Sequence, residues 1–366
     1  MQPVRPEAAP TVHRLENGLE ILLHQDRHLP LVALHLTYRV GSRHESEGRT
    51  GLAHLFEHML FQGSENVSKN GHFELIQQAG GVANGSTGKD RTSYYETVPQ
   101  HHLELALWLE SDRMGSLLPA LTQEKLENQR QVVVNERLQR VDNRPYGRCF
   151  ERLFELLYPL PHPYHWPVIG YSEDLKRATL ADLQNFFTTF YRPENAILAL
   201  AGDIDPASAP ELIDRYFGDI PAVPRCGAAP TPPLDLVAGP VEEVMADRVE
   251  LPRIYLAYPA PAFGGDGWRT ADLLTTLLGS GKSSPLYSDL VYSRQLAEDV
   301  SAFVVPGELA STFVVVATAT AEAEVGELRR RLLEHVESIR DAALSDGDLE
   351  RARNRVITAW HSDLQG

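Results

Sequence analysis

Hydrophobic and polar positions along the first part of the chain predict strands that lead into one apolar helix. The segments 11–25 and 31–40 alternate between apolar and polar residues, which is typical of half-buried strands. Asn17-Gly18 interrupts the first segment, and this dipeptide favours a tight hairpin. Residues 52–62 are mostly apolar and contain neither proline nor glycine, so they predict a buried helix.

The same pattern continues to about residue 220. It predicts helices at 71–79, 101–117, 122–141, 172–191 and 207–217, strands at 92–98 and 195–202, and a loop-rich connection at 142–167. Residues 221–240 hold six prolines and little periodicity, which is typical of a linker. We therefore expect a first domain at 1–225, a Pro-rich linker at 226–240 and a second domain at 241–366.

The second half resembles an altered copy of the first. Leu29-Pro30 precedes Arg49-Thr50, and Leu251-Pro252 precedes Arg269-Thr270 at a similar distance; each Arg-Thr pair leads into an apolar helix. When the two Arg-Thr pairs are aligned, His54, Glu57 and His58 correspond to Leu274, Leu277 and Leu278. This correspondence predicts a repeated fold with one chemical site.

Composition narrows the class of protein. The chain has 366 residues, 43% of them hydrophobic, and a net charge of −16, which argues against nucleic-acid binding. There is no apolar run of membrane-spanning length, so we expect no membrane span, and the first residues show no signal peptide. Cys149 and Cys226 are too few for a disulfide framework or a cysteine zinc site.

The helix at 52–62 carries the candidate chemistry. His54, Glu57 and His58 form the pattern H-x-x-E-H, which places all three on one face of a helix. Two imidazoles one turn apart can bind one metal ion, with the carboxylate beside them, as in inverted zinc-peptidase motifs. The alternative is that the histidines only pack in the core, but burying these polar groups without partners would cost several kcal/mol.

A third ligand is expected from another helix. Glu136 lies on a helical stripe with Val132 and Val133, so its carboxylate is a candidate buried ligand. Zinc sites often combine two histidines with one carboxylate and keep a fourth position for water. Taken by itself, Glu136 could equally be a solvated helix glutamate.

A competing motif lies in the second half. Residues 279–284, GSGKSS, end like a phosphate-binding Walker A loop. Position 276 is Thr where that motif needs Gly, and the loop follows a predicted helix rather than a strand. A glycine-rich helix end, followed by a new helix at 285–294, explains the segment equally well.

Four segments together resemble the pitrilysin-type (inverzincin, M16-like) zinc peptidases, the family of insulin-degrading enzymes and mitochondrial processing peptidase. They are residues 51–63, 84–99, 127–136 and 279–303. The similarity is greatest to short bacterial members built from two homologous halves. It implies an α+β fold of two homologous domains, each a mostly antiparallel sheet packed with helices.

The resemblance also implies site roles. His54, His58 and Glu136 would bind one Zn²⁺, and Glu57 would be the general base of a metalloendopeptidase. Asn84, Gly85, Ser86 and Thr87 would border an edge strand that binds a peptide substrate as an added strand. The compartment, bacterial cytoplasm or periplasm, stays open.

The chain departs from the family pattern at three points. Gln129 stands where relatives carry a second Glu. Val291 and Glu298 stand where single-chain relatives carry an Arg and a Tyr that hold the substrate. The nearby Arg294 does not replace that pair, because the residue seven positions later is Ser301 and not Tyr. We therefore expect a heterodimer in which a homologous partner subunit without H-x-x-E-H supplies Arg and Tyr. A non-catalytic scaffold subunit is the alternative. Relatives also extend further, so the second domain is expected to be C-terminally incomplete.

Overall fold

The computed structural model describes residues 9–222, 239–341 and 345–363. The chain divides into two compact units, one ending at Leu234 and the other beginning at Asp235. The expected linker at 226–240 lies outside the described residues except for its last two positions. The predicted α+β class is confirmed, since each unit contains a mainly antiparallel sheet and helices.

The first unit is built on a six-stranded sheet. Its strands are β1 Thr11–Arg14, β2 Glu20–Gln25, β3 Leu31–Tyr38, β4 Val82–Thr87, β5 Thr92–Pro99 and β6 Ala196–Gly202. Their order is β1-β2-β6-β3-β5-β4, and every neighbouring pair is antiparallel except β2 with β6. The hairpin predicted at Asn17-Gly18 is confirmed, with Arg14 opposite Glu20 and Gly18 at a φ of 94°. Strand β4 is one edge of the sheet.

Eight α-helices are assigned in the described part of this unit. They are α1 Leu52–Met59, α2 Gly71–Gln78, α3 Leu103–Gly115, α4 Gln123–Arg137, α5 Cys149–Leu157, α6 Ser172–Arg177, α7 Leu180–Phe190 and α8 Ala209–Phe217. In α1, Leu55, Phe56 and Met59 are completely buried. Each such side chain contributes about 1.5–3 kcal/mol to folding, so α1 is held firmly in the core.

Three sequence predictions of helix limits were wrong. The connection predicted at 142–167 contains α5, whose short amphipathic pattern is masked by the surrounding prolines and aromatic residues. The helix predicted at 172–191 is two helices, because Thr179 and Asp182 form a capping box that starts α7 anew. Helix α4 is regular only to Arg137, and residues 138–142 widen into a π-helical turn.

The second unit has a three-stranded antiparallel sheet. Its strands are β7 Arg253–Ala260, β8 Ala297–Val305 and β9 Ser311–Ala319, in the order β7-β9-β8, and its helices are α9 Asp266–Gly279, α10 Val325–Asp341 and α11 Asp346–Asp363. Arg269-Thr270 lies inside α9, whereas Arg49-Thr50 precedes α1, so the two pairs do not occupy the same helical position. No helix within the described ranges is long and apolar enough to span a bilayer.

Candidate metal centre

Helix α1 presents its polar residues from a firmly capped start. Gly51 occupies the N-cap position at a φ of 85°, where a side chain would be strained. The Glu45 carboxylate accepts hydrogen bonds from the backbone N–H groups of Gly51 and Ala53, each at 2.8 Å. The start of the helix that carries the two histidines is thereby held in place.

Three ligand-type side chains converge between α1 and α4. Glu136 Oε2 lies 3.8 Å from His54 Nε2 and 3.3 Å from His58 Nε2, and the two imidazole rings are 4.8 Å apart between centroids. Around a tetrahedral zinc ion with bonds of about 2.1 Å, ligand atoms stand about 3.4 Å apart. The spacing and the donor set of two imidazoles and one carboxylate therefore fit one zinc ion.

The protonation state of His54 suits a metal ligand. Burial, with smaller contributions from His58 and Arg140, lowers its pKa to about 3. Its imidazole is therefore neutral across the physiological range, and the neutral ring is the form that binds metal. The side chains of His54, His58 and Glu136 are 13%, 23% and 16% exposed, so the site is sheltered yet open to solvent.

Glu57 lies beside the histidines with its own partner. Its carboxylate accepts a hydrogen bond from the Thr87 hydroxyl on β4. Burial raises the pKa of Glu57, and the bond from Thr87 opposes that shift. A carboxylate of raised pKa is a better proton acceptor than a solvated one.

The four residues expected to bind substrate all lie on the edge strand β4. Asn84 and Ser86 are exposed, whereas Gly85 and Thr87 are half-buried, as the alternation of a strand requires. Among the described strands, β4 pairs only with β5, so its other edge carries no described strand; the Gly85 N–H donates to the Asn84 side chain at 2.9 Å. The structure thus brings these residues next to α1.

Sequence reasoning missed one residue at this site. Arg140 Nη1 lies 2.7 Å from Glu136 Oε1, the oxygen that does not face the histidines. The two residues are four positions apart in a predicted helix, and this spacing indicates that their side chains can pair. Gln129 is buried and donates to the side chain of Asn128, while Glu127 pairs with Arg130.

A second polar cluster, also missed from sequence, lies in the core of the first unit. His72 hydrogen-bonds Glu96, and Arg113 forms two hydrogen bonds to Glu110. All four side chains are buried. The guanidinium supplies the positive charge that a metal would bring, so we interpret the cluster as a self-balanced network rather than a metal site.

The competing loop and the expected Arg and Tyr positions lie in the second unit. Gly279 ends α9, and a π-helical turn occupies Tyr287–Ser293. The GSGKSS loop therefore follows a helix, whereas a Walker A loop would follow a strand. The Arg355 side chain lies against Gly281 and fills the space over the loop. Arg294 is paired with Asp289 at 2.8 Å.

Two family models match the chain. The model described as "Insulinase (Peptidase family M16)" matches residues 20–160, the part that holds H-x-x-E-H and Glu136. The model described as "Peptidase M16 inactive domain" matches residues 177–356.

Individual relatives extend this result over nearly the whole chain. The zinc protease PqqE of Helicobacter pylori is 31% identical over 358 residues, 96% of this chain and 79% of that protein. A protein of Arabidopsis thaliana named "Probable mitochondrial-processing peptidase subunit beta, mitochondrial" is 26% identical over 97% of this chain and 67% of its own length.

Solved structures agree on the fold. A crystal structure of a protease from Helicobacter pylori is 29% identical, with a TM-score of 0.88 over 98% of this chain and 86% of that one. The structure of pitrilysin, 20% identical, has a TM-score of 0.74 over 94% of this chain and 38% of that one, and shares the fold.

Proposed function

The chain belongs to peptidase family M16, and from this membership we propose that it is a zinc-dependent endopeptidase that hydrolyses peptides or unfolded segments. The observation that carries the proposal is the convergence of His54, His58 and Glu136, with Glu57 beside them. These three residues would hold one zinc ion. When bound, the ion supplies a Lewis acid that polarises the scissile carbonyl and makes water more acidic.

Glu57 performs the proton transfers in this proposal. As water attacks the peptide carbonyl, its proton passes to the Glu57 carboxylate; the same proton then goes to the amide nitrogen as the C–N bond breaks. Burial, which raises the pKa of Glu57, favours both transfers because the carboxyl binds the proton more readily. The bond from Thr87 occupies one carboxylate oxygen and leaves the other for water.

Strand β4 supplies the substrate site in this proposal. Its outer edge can accept an extended peptide through backbone hydrogen bonds. Binding of this kind depends little on the side chains of the peptide. Residues Asn84 to Thr87 lie along this edge next to Glu57. We therefore expect broad sequence tolerance and a requirement for an unfolded substrate.

We further propose that the chain works with a homologous partner subunit. Val291 and Glu298 stand at the positions where an Arg and a Tyr are expected, and neither can donate the hydrogen bonds of those residues. One relative is itself named a subunit of a processing peptidase. A scaffold role without catalysis is less well supported, because the chain retains the whole ligand set and Glu57.

The proposal is tested by removing and restoring zinc. Purified protein, mixed with its candidate partner, is assayed against a quenched-peptide library before and after treatment with a chelator. We expect about one zinc ion per chain, loss of cleavage on chelation and recovery with zinc but not with magnesium. Cleavage that continues in the metal-free protein would contradict the proposal, and zinc binding with no cleavage would favour the scaffold role.

A further inference from the structure

Thr87 contacts the reacting machinery rather than only the substrate edge. Its Oγ1 donates a hydrogen bond to Glu57 Oε2, and it is the one side chain found to hydrogen-bond Glu57 within the described residues. We infer that Thr87 is a positioning residue that orients the Glu57 carboxylate for proton transfer. The inference rests on the proposed function, because it gives Glu57 the role of general base.

Strand β4 approaches Glu57 closely enough to make this contact specific. A Cβ atom added at Gly85 would lie 3.1 Å from Glu57 Oε1 and 3.2 Å from Glu57 Cγ, tighter than ordinary contact. The missing side chain at Gly85 therefore allows the strand to pack against the carboxylate. Because side chains two residues apart share one face of a strand, Thr87 also points toward α1.

The residues that follow Thr87 are fixed independently of Glu57. Gly88 O accepts a hydrogen bond from Ser42 N at 3.1 Å, and Lys89 O accepts one from Arg43 N at 2.9 Å. The segment beyond β4 is thus tied to the chain just before α1. The hydroxyl of Thr87 is thereby held by the fold, which is what preorganisation of a catalytic group requires.

The Lys89 side chain adds a second anchor. Its Nζ donates to the backbone carbonyl of Tyr164 at 2.7 Å and lies 3.6 Å from the centroid of the Phe154 ring. The hydrogen bond and the ring contact together hold the Lys89 side chain against α5 and the segment that follows it. Two residues from Thr87, this anchor limits movement of the turn between β4 and β5.

The role predicts a particular kinetic effect. A residue that contacts only the substrate would change KM, whereas a residue that orients the base would change kcat. The matched variants are Thr87→Val, which removes the hydroxyl at nearly constant volume, Thr87→Ser, which retains it, and Thr97→Val, the same change on the neighbouring strand β5. Each is measured as zinc-loaded protein, with the partner subunit if activity requires it.

We expect Thr87→Val to lower kcat about 10- to 100-fold with KM changed less than about twofold. Zinc content should match the wild type in all three variants. Thr87→Ser should recover most of kcat, and Thr97→Val should behave as the wild type. A rise in KM with kcat unchanged, or a Thr87→Ser variant as slow as Thr87→Val, would overturn the inference.

A crystal structure of Thr87→Val gives a second result that does not depend on activity. We expect the Glu57 carboxylate to leave its wild-type rotamer or to occupy more than one, while His54, His58 and Glu136 stay in place. An unchanged Glu57 would overturn the inference whatever the kinetics. If the wild type binds zinc but never cleaves peptides, the proposed function fails, and this structural comparison still decides whether Thr87 orients Glu57.

Discussion

At the scale of single residues, the geometry of the proposed site suits each carboxylate to a different task. Glu136 turns Oε2 toward the histidines and Oε1 toward Arg140, so it is oriented as a ligand. Glu57 turns toward Thr87 and has a raised pKa, so it is suited to carry protons. Because Arg140 is exposed, its ion pair with Glu136 adds little to stability, as is usual for ion pairs in contact with water, which contribute about 0–1 kcal/mol.

The ligand role predicts a loss of zinc in His58→Ala. Removing one of three protein ligands should weaken zinc binding by more than about 100-fold, beyond the loss seen for outer partners of a ligand. Competition with a chromogenic chelator measures the affinity. The control is His101→Ala, which changes an exposed histidine just before α3. Equal zinc affinity in His58→Ala and wild type would show that His58 is not a ligand.

At the scale of elements, α4 is held at both ends, and this fixes Glu136. Thr122 accepts a hydrogen bond from Lys125 N at 3.3 Å and caps the start of the helix. At the other end Arg137 pairs with Glu151 at 2.8 Å and donates to Gly170 O at 2.8 Å. A ligand on a helix anchored in this way keeps its distance from α1.

A buried polar cluster joins strand β5 to helices α2 and α3. It consists of His72 on α2, Glu96 on β5, and Glu110 and Arg113 on α3. Burial raises the pKa of Glu96 to about 7 and lowers the pKa of His72 to about 3. Burial also raises the pKa of Glu110, although Arg113 opposes that shift. The hydrogen-bonded pair of His72 and Glu96 therefore remains uncharged in mild acid.

Glu96→Gln should change how stability depends on pH. A carboxyl whose pKa is raised on folding stabilises the fold fully below its ordinary pKa of 4.5, and this contribution is lost as the pH rises through about 7. The amide has no proton to lose. Between about pH 5 and pH 8, the free energy of unfolding of Glu96→Gln should therefore rise by on the order of 3 kcal/mol relative to that of the wild type.

Urea denaturation at several pH values measures this difference, with the exposed Glu65→Gln as the control. Parallel pH curves for Glu96→Gln and the wild type would mean that Glu96 is not protonated in the folded core. A difference of opposite sign would mean that Glu96 is held ionised by Arg113.

Contacts between residues close together in the sequence could be predicted, whereas contacts between distant residues mostly could not. His54, Glu57 and His58 are local, and the periodicity of one helix is enough to group them. Glu136 needed the packing of α4 on α1, which the apolar stripe and the family resemblance suggested. The bond from Thr87 to Glu57 depends on the contact of β4 with α1, and the cluster around Arg113 depends on three elements meeting. No local pattern reports such contacts.

The fold shows the same limit. Hairpins and apolar helices were predicted because their signals are short-range. The division of 172–191 into α6 and α7 was missed, because the helical pattern is otherwise continuous and only the capping box of Thr179 and Asp182 marks the break. The π-helical turn after Arg137 was also missed, because no proline or glycine at 135–142 marks the change in the sequence.

At the scale of the whole molecule, the chemistry of the proposed site lies in the first unit. In the second unit, Leu277 and Leu278 of α9 are buried and offer no ligand atoms. It also lacks the expected Arg and Tyr, at Val291 and Glu298. A partner with a complementary second half would supply those groups.

Partner dependence is measured by comparing the chain alone with a mixture that contains a homologous subunit carrying Arg and Tyr but no H-x-x-E-H. We expect cleavage in the mixture to be about 100-fold faster or more, the size of effect that a transition-state donor provides. A mixture made with Glu57→Gln should be inactive, which locates the chemistry on this chain. Equal rates for the chain alone and the mixture would contradict the partner hypothesis.

The central claim is that Glu57 transfers protons at a zinc site formed by His54, His58 and Glu136. It is tested most directly by the rate of peptide cleavage in Glu57→Gln and wild type at equal, measured zinc content. The account predicts that the variant binds as much zinc as the wild type and cleaves at least about 100-fold more slowly. Cleavage at the wild-type rate by zinc-loaded Glu57→Gln would contradict it.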